Sequence, residues 1–159
     1  MAADRTQRTR CDANRFIVPH AEPIQTPGPK PTGLWYELGG DWRRWCASDQ
    51  PDWIDGKFLH GVVLDGERML VLRGVGDIDA FHARYALPAA YPMDGRYVDW
   101  TAVATGYDGI EIAPYCWERR LEGSASRWYY GWDCASGCIW RPRAMRVELV
   151  EGPLRYAAR

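Results

Sequence analysis

The sequence contains no apolar run approaching the roughly 18 residues that a membrane-crossing helix requires, so a spanning role is excluded. It has no excess of charge either: 20 Lys+Arg stand against 21 Asp+Glu, leaving a net −1 and no global field to gather nucleic acid or an anionic bilayer. The first residues, MAADRTQRTRCDAN, lack the apolar centre of a secretory signal, and a cytoplasmic location is expected. The five cysteines are odd in number, and their only close pair, Cys134 and Cys138, has no matching second pair. Neither a disulfide framework nor a four-ligand zinc site is expected, and the thiols read as reduced and metal-free. Internal repeats, a Gly-x-Ser-x-Gly elbow, a phosphate-binding glycine loop and a His-Glu-x-x-His pair are all missing, which removes the commonest hydrolase, nucleoside-triphosphatase and zinc-protease readings.

What is present suits one domain. At 159 residues a single core suffices, and the apolar share of 47% beside 26% charged residues is that of a globular chain. Residues 1–13 show no apolar periodicity and read as a solvated arm, residues 14–152 as the globular domain, and 153–159 as a tail. Arg15 to Val18 is a short β-prone run, followed by a loop from His20 to Pro31 with four prolines and a glycine. Gly33 to Glu37 reads as a strand ended by Gly39-Gly40, and Asp41 then opens a helix with Trp42, Trp45 and Cys46 on one stripe. Phe58–Leu64 and Met69–Arg73 flank Asp65-Gly66-Glu67, a hairpin signal. Asp77 caps a helix to about Ala86, Asp99 caps Trp100–Thr105, Tyr107–Ala113 is a buried strand, and Pro114 opens a helix to Leu121. Trp128–Trp132 reads as a strand and Arg143–Val150 as an edge strand. The irregular interleaving predicts an α+β fold with a split or strongly curved, mainly antiparallel sheet and short helices.

Nine tryptophans are concentrated in part between Trp128 and Trp140, among small and polar residues. Such rings offer stacking faces for a base or nicotinamide, with Asp133 and Ser136 as hydrogen-bonding groups and Gly131 and Gly137 permitting close approach; the alternative is that the rings only fill a core poor in Leu and Ile. Glu111, between Ile110 and Ile112, must face away from the core or be held by partners. It is a candidate general base or sugar-hydroxyl ligand, or else the ion-pair partner of Arg119 or Arg120. His60 and His82 read as structural, and His20, at the mouth of the proline-rich loop, as a candidate ligand contact. Acidic residues outnumber basic ones over Asp41–Glu67, six to three, whereas Arg141–Arg159 carries five arginines and two acids, and each reads first as a solvated face.

Lys30-Pro-Thr-Gly-Leu-Trp-Tyr36, Tyr107-Asp-Gly-Ile-Glu-Ile112 and Trp128-Tyr-Tyr-Gly-Trp-Asp-Cys-Ala-Ser-Gly-Cys-Ile-Trp140 resemble motifs of small phage and bacterial proteins of mostly unassigned activity, over residues 15–150. The strand layout is in turn similar to that of ADP-ribosyltransferases, with Tyr36-Glu37 in place of a Ser-Thr-Ser-like segment. That resemblance implies a toxin-type or phage transferase fold with NAD as substrate. It assigns the catalytic triad to His20 or Arg15, Tyr36 and Glu111, and the NAD site to Arg15, Trp35, Trp128, Trp132, Asp133 and Ser136, with a host protein or nucleic acid as acceptor. The rival expectation is a noncatalytic aromatic-rich module that binds a nucleotide, nucleic acid or partner protein.

Overall fold

The computed structural model describes residues 7–65, 68–88, 97–120 and 126–155. In chain order they form β1 (Arg8–Asp12), β2 (Leu34–Leu38), α1 (Asp41–Asp49), β3 (Phe58–Leu64), β4 (Met69–Leu72), α2 (Val75–Tyr85), α3 (Trp100–Gly106), β5 (Gly109–Ile112), α4 (Trp117–Arg120), β6 (Ser136–Ile139) and β7 (Met145–Glu151), with single 3-10 turns at Pro51–Trp53, Arg127–Gly131 and Pro142–Ala144. The seven strands make one mixed sheet in the order β4-β5-β6-β2-β1-β3-β7, antiparallel except for β4 beside β5. The α+β class agrees with the sequence. The sheet itself is open and continuous, whereas a split or strongly curved one was expected.

Strand alternation assigns the two faces. Trp35, Cys138 and Ile110 are opposite one another on β2, β6 and β5 and share one face, on which Ile78 and Phe81 of α2 and Trp100 and Val103 of α3 close a core with Trp128, Tyr129 and Trp132. Tyr36, Gly137 and Glu111 form the next row and point to the opposite face. There Leu38, Val62, Ile139, Ala144 and Met145 form a second core, covered by Phe16 and Val18. Asp99 caps α3 as expected, accepting from the Ala102 amide at 3.0 Å, an interaction commonly worth about 1 kcal/mol.

Several expectations are corrected. Residues 8–12, read as part of a solvated arm, are an inner strand between β2 and β3. Thr9 and Cys11 face the α1 side while Arg8, Arg10 and Asp12 face the other, where Arg10 and Asp12 neutralise each other at 2.6–2.8 Å and Arg10 lies 3.9 Å over the Phe16 ring. Mutual pairing lets so polar a segment sit inside a sheet. The hairpin does not form: β3 pairs with β1 and β7, whereas β4 lies at the far edge against β5. Long-range packing overrides the Asp-Gly signal here, because Met69 fills the space that Gly109 leaves open, 2.9 Å from where a Cβ would stand. The helices α2 and α3 then supply the crossover that a parallel pair requires. Arg127–Gly131 is a 3-10 turn, not a strand, since Trp128 and Tyr129 are drawn into the core. The expected Arg15–Val18 strand is an irregular cover, and the helix expected from Pro114 to Leu121 starts only at Trp117, Leu121 lying outside the described residues. In the expected tail, Leu154 is buried and its amide donates to the Lys57 carbonyl at 2.8 Å; residues 156–159 lie outside the described residues. No described helix is long and apolar enough to cross a membrane.

Deletion of residues 1–13 tests the placement of β1. Losing an inner strand removes pairing on two sides and should cost more than the roughly 5–15 kcal/mol that holds a domain of this size folded. The expected result is loss of the cooperative thermal transition by circular dichroism; an unchanged midpoint would contradict it.

Candidate functional site

Glu111 is 6% exposed and is held by three donors. Arg8 Nε donates to Oε2 at 2.7 Å and Arg8 Nη2 to Oε1 at 3.1 Å, while the Tyr36 hydroxyl donates to Oε2 at 2.8 Å. Gly137 makes this possible: a Cβ there would stand 2.3 Å from the Tyr36 ring, so only glycine lets the phenol cross β6 to reach β5. Burial, and then the Glu111 charge, raise the Tyr36 phenol far above its ordinary range, so it remains a donor. Hydrogen bonding to Glu111 raises the Arg8 guanidinium against the opposing effect of burial. The expected partners of Glu111 are engaged elsewhere, Arg119 with Asp79 at 2.6 Å and Arg120 with Asp133 at 2.9 Å. The carboxylate is thus closed into a bidentate pair capped by a phenol.

On the opposite face a cleft of about 410 Å³ opens beside α1. Its floor is Thr9, Cys11, Glu37 and Ser136, and its walls are Trp35 and Trp132 on one side and Trp42 on the other, with Lys30 and Lys57 also lining it. Trp35 and Trp132 meet edge to face with ring centroids 4.9 Å apart. Trp42 stacks on Trp45 at 5.1 Å, and Trp53 completes that group at 5.7 Å from both. Lys30 is held above the Trp35 ring at 5.2 Å, passing over Gly131, where a Cβ would stand 3.2 Å from Lys30 Cε. Its loop is fixed from below: the Trp100 indole donates to the Gly28 carbonyl at 3.0 Å, and Gln25 exchanges hydrogen bonds with the main chain of Thr32. Pro29 and Pro31 on either side restrict the backbone at Lys30. The Glu37 carboxylate is already bound by the Thr9 hydroxyl at 2.8 Å and by Arg43 Nε at 2.6 Å and its amide at 2.9 Å. Among the described residues, neither Lys30 nor Lys57 has an ion-pair partner, so the uncompensated charge at the cleft is positive.

Of the residues singled out in the sequence, Trp35, Trp132, Asp133 and Ser136 gather at the cleft. Tyr36 adds its stretch of β2 to the floor, but its side chain points to the other face with Glu111. Trp128 is fully buried against Phe81, with centroids 5.0 Å apart, and does not line the cleft. His20 and Arg15 are exposed in the segment around the proline-rich loop and do not line it either. The residues that sequence reasoning missed are Thr9, Lys30, Glu37, Trp42 and Lys57. A signal existed for one of them: a lysine set between two prolines sits on restrained backbone.

No family model, curated protein or solved structure matches this chain. The site therefore rests on its geometry.

All five cysteines are free thiols. Burial pushes Cys46 up to about 11 and Cys11 and Cys134 up to about 12, and raises Cys116 and Cys138 as well. None is an activated nucleophile at neutral pH. A proton held more tightly in the folded state stabilises it fully below the ordinary thiol value of 9.0, and that contribution is lost as pH rises toward the folded values. Urea midpoints should accordingly be level from pH 7 to 8.5 and fall steadily between about 9 and 12; a midpoint that rises across that window would refute the sign. For the carboxylate, Glu111→Gln should cost about 1–3 kcal/mol of stability by leaving Arg8 without its charge partner, and Tyr36→Phe about 1 kcal/mol. Urea unfolding measures both, and an unaffected Gln variant would show the pair to be dispensable.

Proposed function

We propose that the protein is a noncatalytic binding module whose cleft accepts a nucleotide. The observation that carries this reading is Lys30, a cation lying over the Trp35 indole at an aromatic-lined cleft. Trp35, Trp132 and Trp42 supply flat faces for a base, and Lys30 and Lys57 supply charge for a phosphate. A volume of about 410 Å³ suits a mononucleotide better than an extended dinucleotide.

Titration with AMP while following tryptophan emission tests the proposal directly. Binding should quench fluorescence, weaken as salt rises, and be reduced roughly tenfold by Lys30→Ala, the loss of one charge-assisted contact. Trp35→Ala should weaken it by a similar factor. Saturable quenching that neither substitution alters would place the ligand elsewhere, and no quenching by any nucleotide would end the reading.

ADP-ribosyl transfer from NAD to a protein or nucleic-acid acceptor has one observation in its favour, the direct contact between Tyr36 and Glu111. Against it, Glu111 is saturated by Arg8 and Tyr36 and faces away from the aromatic cleft, so nothing presents it to a ribose. Release of nicotinamide from NAD by the wild-type protein, abolished in Glu111→Gln at equal folded concentration, would reverse that preference.

A further inference from the structure

β7 is the last strand of the sheet: β3 pairs along one side of it, and among the described residues no strand lies along the other. Natural edge strands are commonly short, bulged or guarded by lysine and proline. This one runs for seven residues without lysine or proline, is bulged only at its C-terminal end, and leaves Leu149 and Val150 exposed at 43% and 55%. Its pairing with β3 slips after Leu149, because His60 pairs with Leu149 and Leu59 with Glu151, so Val150 is an extra residue. The regular stretch is Met145–Leu149, and its midpoint is Val147.

About that midpoint the sequence is antisymmetric in charge and symmetric in apolar character. Arg146 precedes Val147 and Glu148 follows it, while Met145 and Leu149 flank them. Turned end for end and laid beside itself, the strand sets Arg146 against Glu148 twice, Met145 against Leu149 twice, and Val147 against its own copy. A parallel arrangement in register would instead oppose like charges at both positions, which cross-strand pairs avoid. Arg146 and Glu148 share one face of the sheet. Arg146 is extended there by Asp65, at 2.6 and 2.9 Å, so that each end of the joint would carry an Asp65–Arg146–Glu148 row. Val147 and Met145 lie on the other face, against the core of Leu38, Val62 and Ile139, with the exposed Leu149 beside them. Such an interface is isologous, the usual form of a twofold dimer.

We infer that β7 pairs antiparallel with β7 of a second copy of this chain, in the register that centres on Val147, joining two sheets into one of fourteen strands, twice the seven of each chain. The interface lies at the far side of β1 and β3 from the aromatic half of the sheet and does not depend on what the cleft binds.

Charge exchange gives a test that a second copy alone can pass. Sedimentation equilibrium of the full chain should show a monomer–dimer equilibrium. Arg146→Glu and Glu148→Arg each place like charges opposite one another at both ends of the joint, and each should weaken self-association at least about tenfold. Mixed in equal amounts, one variant brings an acid at both positions and the other a base at both. Every facing pair is then again of opposite sign, and dimer should return to near the wild-type level. Unchanged circular dichroism of each variant separates lost pairing from lost folding, and the mixture itself guards against it, since an unfolded variant could not restore dimer. A wild-type chain that stays monomeric at the highest concentration reached, a dimer that survives either substitution, or a mixture that fails to recover would each overturn the inference.

Discussion

A carboxylate in the middle of a sheet must be neutralised where it stands, and around Glu111 that requirement fixes the arrangement of four strands. The guanidinium comes from β1, the phenol from β2, and the passage between them from the missing side chain of Gly137 on β6. With β5 itself, these are the neighbours β5-β6-β2-β1 of the strand order. Any shift of β1 or β2 by one residue would turn Arg8 or Tyr36 to the other face and leave a buried charge alone, at a cost of several kcal/mol. The register of the sheet's centre is specified by this one charge as much as by its apolar pattern.

Placing the acid on one face frees the other. There the same strands present Thr9, Trp35, Glu37 and Ser136, and the helical layer stops at Trp132 before α1 begins, so a cleft is left between them. Glu37 looks at first like a second reactive acid, but Thr9 and Arg43 absorb its charge. Lys30 and Lys57 line the same cleft. The division of labour is physical: Glu111 and Glu37 are consumed in holding strands, whereas Lys30 and Lys57 have no ion-pair partner among the described residues. Among the described residues, the two carboxylates that line the cleft are each paired with an arginine, Glu37 with Arg43 and Asp133 with Arg120.

What is legible in the sequence follows from locality. The Asp99 cap, the α1 and α2 stripes, the β2 strand and the edge character of β7 depend on neighbours a few residues away, and the structure agrees with them. Glu111 is recognisable as a placed carboxylate because it interrupts Ile110 and Ile112, but its partner is not, since Arg8 is 103 positions distant. β1 is hidden for a related reason: its charges are satisfied by one another and by Glu111, so its composition is that of a solvated arm while its position is internal. The Asp65-Gly66 signal is a local truth overridden by a distant one, the fit of Met69 against Gly109. Trp128 shows the limit of reading function from aromatic density, for it is core, while Trp42, in a helix read only for its apolar stripe, walls the cleft.

The central claim is that Glu111 is a structural charge and that ligand meets the face behind it. One proton–nitrogen correlation spectrum, recorded during titration with AMP, reports on both faces at once. The indole signals of Trp35, Trp42 and Trp132 read the cleft, and the Nε–H signal of Arg8 reads its bond to Glu111. The account predicts that the three indole signals move together and saturate while the Arg8 signal stays in place. Movement of the Arg8 signal with the indoles unchanged would contradict it and return Glu111 to the active role.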